Sequence, residues 1–279
     1  MKSFISGVIL FEETLKQKAE DGRRLSDILE SKGVYPGIKV DKGAHPMDSS
    51  PSEKLTKGLD GLYERCLAYH KLGARFAKWR AVITIGDGIP TDDCIRANAS
   101  ALAKYAKACQ DAELVPIVEP EVLMDGLHTI ETCYEVSEKT FKVVFEELEN
   151  EGVYLPGILL KPNMVVSGKD CSSQGDRQTV AELTVKCLKA SVPAEVPGIV
   201  FLSGGQSETE ATEHLNAMNM MGDSPWALSF SYGRALQQSA LHTWAGDNAN
   251  LEMTYATFYH RAEMNSKACN GEYSPELEI

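Results

Sequence analysis

Several charged side chains in this chain stand where an apolar strand would end. Lys161 closes the run Gly157-Ile158-Leu159-Leu160-Lys161-Pro162-Asn163. Lys39 lies in Gly37-Ile38-Lys39-Val40-Asp41 and Lys78 in Phe76-Ala77-Lys78-Trp79-Arg80. A fourth run, Leu114-Val115-Pro116-Ile117-Val118-Glu119-Pro120-Glu121, ends in carboxylates. Lysines are almost never buried without a partner, and a buried lysine readily gives up its proton. The neutral amine is a nucleophile for carbonyl carbon, so the chemistry indicated is covalent imine formation. In an extended strand, residues two apart share a face, which pairs Lys78 with Arg80 and Glu119 with Glu121. Cations brought close together lower one another's pKa, and an apolar wall acts in the same direction. Carboxylates beside them can move the protons that carbinolamine formation and dehydration require. A structural ion pair explains any one of these lysines, but it is the weaker explanation for three beside a Glu-Pro-Glu.

Two glycine-bearing turns follow later apolar runs, Leu202-Ser203-Gly204-Gly205-Gln206-Ser207 and Phe230-Ser231-Tyr232-Gly233-Arg234. Glycines let backbone N–H groups approach an anion, and Arg234 supplies a fork-shaped partner for a phosphate. Gly86-Asp87-Gly88 lacks the third glycine of a dinucleotide fingerprint. The histidines at 45, 70, 128, 214, 242 and 260 show no ligand spacing, so no metal site is expected, and they read as surface or satisfied core residues.

Positioning these groups requires elements of a particular kind. Apolar runs recur near 7–11, 37–40, 75–80, 114–119, 157–161, 198–203 and 226–232, with amphipathic segments between them. One segment lines up Ile95, Ala99, Leu102, Ala106 and Cys109 on one helical face. A second lines up Ile130, Cys133, Phe141, Val144, Phe145 and Leu148, and a third Val180, Leu183, Thr184 and Cys187. Alternating strands and helices imply a parallel sheet joined by crossovers. In a barrel of such units the reactive groups gather at the carboxyl ends of the strands. The 279 residues are expected to form a single domain, residues 1–279, with a polar loop at 42–54 and a frayed tail at 270–279.

The net charge of −12, from 28 Lys and Arg against 40 Asp and Glu, argues against nucleic acid or anionic membrane as a partner. The apolar N-terminal run passes straight into Glu12-Glu13 and reads as a buried strand rather than a leader peptide. The seven cysteines include no CxxC pair, and Cys109, Cys133 and Cys187, at apolar positions of helical patterns, read as reduced core residues of a reducing compartment.

Taken in order, Gly37-Ile38-Lys39-Val40-Asp41-Lys42-Gly43, Phe76-Ala77-Lys78-Trp79-Arg80, Val115-Pro116-Ile117-Val118-Glu119-Pro120-Glu121, Leu159-Leu160-Lys161-Pro162-Asn163-Met164, Phe201-Leu202-Ser203-Gly204-Gly205-Gln206-Ser207 and Ser229-Phe230-Ser231-Tyr232-Gly233-Arg234-Ala235 closely resemble class I fructose-1,6-bisphosphate aldolases. The resemblance implies a TIM (β/α)8-type barrel that starts at what would be the second strand. Seven strands are therefore expected, without the family's first-strand Ala-Asp-Glu-Ser segment, whose aspartate the resemblance assigns to proton removal. It implies Lys161 as the Schiff-base lysine, Glu119 as the acid/base for dehydration, Glu121 beside it, and Lys78 as the cation held against the imine. Lys39 and Arg80 then line the pocket. Ser203, Gly204, Ser231, Gly233 and Arg234 would receive the phosphate of the dihydroxyacetone half. The implied reaction is reversible cleavage of fructose 1,6-bisphosphate to dihydroxyacetone phosphate and glyceraldehyde 3-phosphate, with no cofactor and no metal. Family analogy adds a homotetramer in the cytoplasm, or in a plastid if a targeting segment precedes this sequence. Two alternatives stay open from the sequence. One is a non-catalytic relative that binds sugar phosphates or aldolase subunits, and the other is a transaldolase-like Schiff-base barrel acting on a singly phosphorylated sugar.

Overall fold

A computed structural model describes residues 3–278. Seven parallel strands form one sheet in the order of the chain: β1 (Gly7–Leu10), β2 (Tyr35–Lys39), β5 (Phe76–Ile83), β6 (Val115–Val122), β7 (Leu159–Leu160), β8 (Gly198–Phe201) and β9 (Ala227–Phe230). They coincide with the seven apolar runs, and the sheet curls into the barrel-like α/β form expected. Among the described residues, β1 and β9 are not paired with each other. As an edge strand, β1 is only half-buried apart from Leu10, where the sequence suggested full burial.

Helices α1 (Glu12–Lys16) and α2 (Leu25–Ser31) follow β1, and α3 (Leu62–Lys71) precedes β5. The crossovers after β5, β6, β7, β8 and β9 carry α4 (Asp92–Asp111), α5 (Ile130–Asn150), α6 (Arg177–Ser191), α7 (Glu208–Met221) and α8 (Arg234–Trp244), and α9 (Leu251–Ala268) ends the series. The start of α4 is dictated locally. Thr91 Oγ1 accepts from the backbone N–H of Cys94, and Asp92 and Asp93 face the positive end of the helix. The inward faces anticipated for α4 and α5 are buried throughout, and that of α6 is buried except at half-buried Leu183.

Two expectations need correction. Part of the segment 42–54, expected to be a loop, pairs instead. β3 (Ala44–Pro46) and β4 (Lys54–Thr56) form an antiparallel ribbon. Glu53 holds it down: its buried carboxylate accepts from the Thr91 N–H and hydroxyl at 2.7 Å each, tying the ribbon to the first turn of α4. Nor does the tail fray along 270–278. Tyr273 is buried, its N–H donates to Asn216 Oδ1 at 2.9 Å, and Glu278 pairs with buried Arg261 at 2.7 Å. Residue 279 lies outside the described residues.

Close packing at the amino end of the sheet depends on two glycines. A Cβ on Gly37 would lie 2.2 Å from the Phe76 ring, and one on Gly7 would lie 2.8 Å from the same ring. Phe76 thus lies across β1 and β2 and fills the space that two side chains would otherwise occupy.

Candidate active site

Strand register aligns the charged residues. Lys39 pairs with Lys78, Lys78 with Ile117, and Ile117 with Leu159; one step of two residues further, Arg80 stands opposite Glu119. Because side chains alternate along a strand, all of these project from one face. Extending the β6–β7 register by two residues brings Lys161 beside Glu119. The β7 ladder stops at Leu160 because Pro162 has no N–H to give, although the Lys161 N–H still donates to the Val118 carbonyl at 2.7 Å.

Three of the predicted residues form the centre. Lys161 Nζ lies 3.1 Å from Glu119 Oε1, and Lys78 Nζ lies 3.1 Å from Glu119 Oε2. All three are buried, with Lys161 8% exposed. Glu119 Oε2 has no aligned hydrogen bond, so Lys78 holds it by charge alone. Burial pulls the Lys161 pKa below the ordinary lysine value. Glu119 opposes the shift, the Lys78 ammonium adds to it, and the net direction is down. Burial and the neighbouring ammonium therefore leave Lys161 more easily deprotonated in spite of the carboxylate, which a nucleophilic amine requires.

Arg80 and Glu121 form a second ion pair beside this centre through Nε and Oε2. Lys39 projects from the same face, but its amine turns to Asp41, bonding Oδ1 at 2.5 Å and the Asp41 carbonyl at 3.0 Å. Asp41 was not singled out from the sequence. It is buried, and its carboxylate also accepts from the N–H groups of Gly43 at 3.1 Å and Arg80 at 3.3 Å. Its place two residues after Lys39, on the same strand face, was the available signal. Asn163 was also missed. Its Oδ1 accepts the Val122 N–H at 3.0 Å and its Nδ2 donates to Ser137 Oγ at 3.1 Å, which ties the end of β6 to the segment after Lys161.

The two glycine turns come together. Arg234, at the start of α8, donates to the Gly204 carbonyl at 2.5 Å. Ser203 is buried and Ser231 half-buried, with the Ser231 N–H bonded to the Phe201 carbonyl at 2.9 Å. Gly204 takes φ of 58°, a left-handed conformation that a side chain would strain. Gly233 is exposed at the N-cap of α8.

One histidine departs from the reading of surface or satisfied core. Both ring nitrogens of His128 are buried without a partner among the described residues, and burial lowers its pKa, which disfavours the charged ring. The seven cysteines are all free; Cys66 and Cys109 touch at 3.8 Å between sulfurs.

The model of the class-I fructose-bisphosphate aldolase family, described as glycolytic, matches residues 1–278. The chain belongs to the class I fructose-bisphosphate aldolases. Such aldolases are lyases, and relatives with the same description share about half of its residues. A probable fructose-bisphosphate aldolase class 1 from Xanthomonas axonopodis pv. citri is 53% identical over 274 residues, covering 98% of this chain and 82% of the relative. The fructose-bisphosphate aldolase of Dictyostelium discoideum is 51% identical over 278 residues, covering 99% of this chain and 78% of its own. A solved structure of fructose-bisphosphate aldolase from Plasmodium falciparum, in complex with TRAP and a small-molecule inhibitor, superposes with a TM-score of 0.96 at 52% identity. That match covers 98% of this chain and 79% of the other. The family resemblance read from the sequence and the barrel-type α/β fold both agree with these likenesses.

Proposed function

We propose that this class I aldolase cleaves fructose 1,6-bisphosphate through an imine on Lys161, with Glu119 moving the protons. The neutral Nζ attacks the C2 carbonyl, and the proton it sheds passes to the Glu119 carboxylate. Glu119 passes that proton to the C2 oxygen, giving the carbinolamine, and a second proton, drawn from solvent through Glu119, lets the hydroxyl leave as water. The Glu119 carboxylate, which has given up its proton, takes the C4 hydroxyl proton as the C3–C4 bond breaks; the iminium accepts the released electron pair and glyceraldehyde 3-phosphate departs. Protonation of the enamine and hydrolysis then release dihydroxyacetone phosphate. Lys78 fixes the carboxylate and, through its charge, favours the neutral amine. Ser203, Gly204, Ser231, Gly233 and Arg234 receive the C1 phosphate, while Lys39, Arg80 and Glu121 line the remaining side of the pocket.

The observation that carries this reading is one buried carboxylate held 3.1 Å from each of two buried amines. A coupled assay for triose phosphate release from fructose 1,6-bisphosphate, run with excess chelator, tests it. Cleavage should persist in chelator and fall to background in Lys161→Ala; chelator-sensitive cleavage, or undiminished cleavage by the variant, would contradict it. We extend the proposal to a homotetramer, by analogy with the family, which light scattering on the eluted protein would check.

A further inference from the structure

His214, on α7, is half-buried and lies outside the residues assigned to chemistry. Its Nδ1 is 2.5 Å from Gln206 Oε1. The Gln206 side-chain amide donates from Nε2 to the Ser203 carbonyl at 3.1 Å, and the Gln206 backbone N–H reaches the same carbonyl at 3.0 Å. A carbonyl can only accept, so the Gln206 atom facing Ser203 is the NH2 group. Gln206 Oε1 therefore faces the imidazole, and because it too can only accept, His214 Nδ1 carries the proton. One amide thus links the body of α7 to the turn that holds Ser203 and Gly204.

Resting on the phosphate role proposed for that turn, we infer that His214 is a positioning residue: through Gln206 it fixes the Ser203–Gly204 turn in its phosphate-receiving shape. Burial lowers the His214 pKa to about 4, and Arg177 contributes in the same direction, so the ring is neutral near pH 7. Protonation would leave the Nδ1 donor in place, so the link itself does not depend on pH. A cavity of about 260 Å³ opens beside Gln206 and His214, lined also by Met124, Val166 and Arg177. On that side the turn packs against Met124, whose sulfur receives the Gly205 N–H at 2.8 Å, and the relay adds the hold from α7.

The test compares two ketones in borohydride trapping of the imine on Lys161, dihydroxyacetone phosphate and phosphate-free dihydroxyacetone. His214→Leu should raise the half-saturating concentration of the phosphate ester about fivefold, the scale of one lost neutral hydrogen bond, and leave that of dihydroxyacetone unchanged. His214→Asn, which restores an N–H donor, should return it close to the wild-type value. Gln206→Leu should match His214→Leu, and the double variant should add nothing further. Histidine-selective nitrogen NMR should show Nδ1 protonated. Equal effects on both ketones, no effect of either leucine variant, or a proton on Nε2 would overturn the inference. Failure of the wild-type protein to be trapped at Lys161 would overturn the imine reading together with it.

Discussion

At the scale of single residues, Lys161 has two charged neighbours that act in opposite directions on its proton. Lys78 disfavours the ammonium and Glu119 favours it, with burial the largest influence. Replacing Lys78 by Met removes a like charge, so the Lys161 pKa should rise. The pH at which imine trapping reaches half its maximal rate should move upward; an unchanged or lower midpoint would contradict the arrangement. The folded-state pKa of Lys161 lies below the ordinary lysine value of 10.5. Between those two pH values the unfolded chain holds more protons than the folded one, so this group adds stability as pH rises through that window. A Lys161→Met variant should lack that rise in denaturant titrations at alkaline pH. The lysines and glutamates were legible in the sequence because a charge closing an apolar run is conspicuous. Asp41 and Asn163 were not, because each bonds a backbone N–H of another strand, that of Arg80 and that of Val122, and such partners are set only by the tertiary fold.

At the scale of elements, the parallel ladder fixes which charges meet. Short continuous apolar runs between amphipathic helical segments revealed every strand of the large sheet, as expected for parallel strands covered by helices. The β3–β4 ribbon escaped notice because its strands are three residues long and its hold comes from one buried carboxylate, Glu53, on a distant N-cap. The ladder also demands small residues under Phe76. Gly37→Ala should cost about 1–3 kcal/mol by overpacking, seen as a drop in Tm of roughly 5 °C. Adding Phe76→Leu should recover part of that loss in the double variant. Strict additivity of the two changes would show that the ring and the glycine do not share one space.

For the whole molecule, the sheet runs from β1 to β9, and the two ends are linked by helices rather than by a ladder. Phe4, ahead of β1, meets Tyr259 of α9 edge-on with ring centroids 5.0 Å apart. The docked tail adds a second closure, in which Arg261 is buried against Glu278, Thr212 and the segment around Tyr273. Burial pushes the Glu278 carboxyl up, but the Arg261 guanidinium outweighs it and the net shift is down. Its contribution should be complete above the ordinary carboxylate value of 4.5 and lost as pH falls through the lower folded value. Glu278→Gln should therefore cost about 1–2 kcal/mol at neutral pH, discounted for partial exposure, and should flatten the acid limb of the stability profile. An unchanged acid limb would remove Glu278 from the closure.

The most decisive observation is the mass of a single peptide. After incubation with fructose 1,6-bisphosphate and borohydride, proteolytic mapping should place the reduced dihydroxyacetone phosphate adduct on the peptide containing Lys161 and on no other lysine. An adduct on Lys78 or Lys39, or unmodified Lys161 in folded protein, would contradict the assignment of the nucleophile and the proton-transfer scheme built around Glu119.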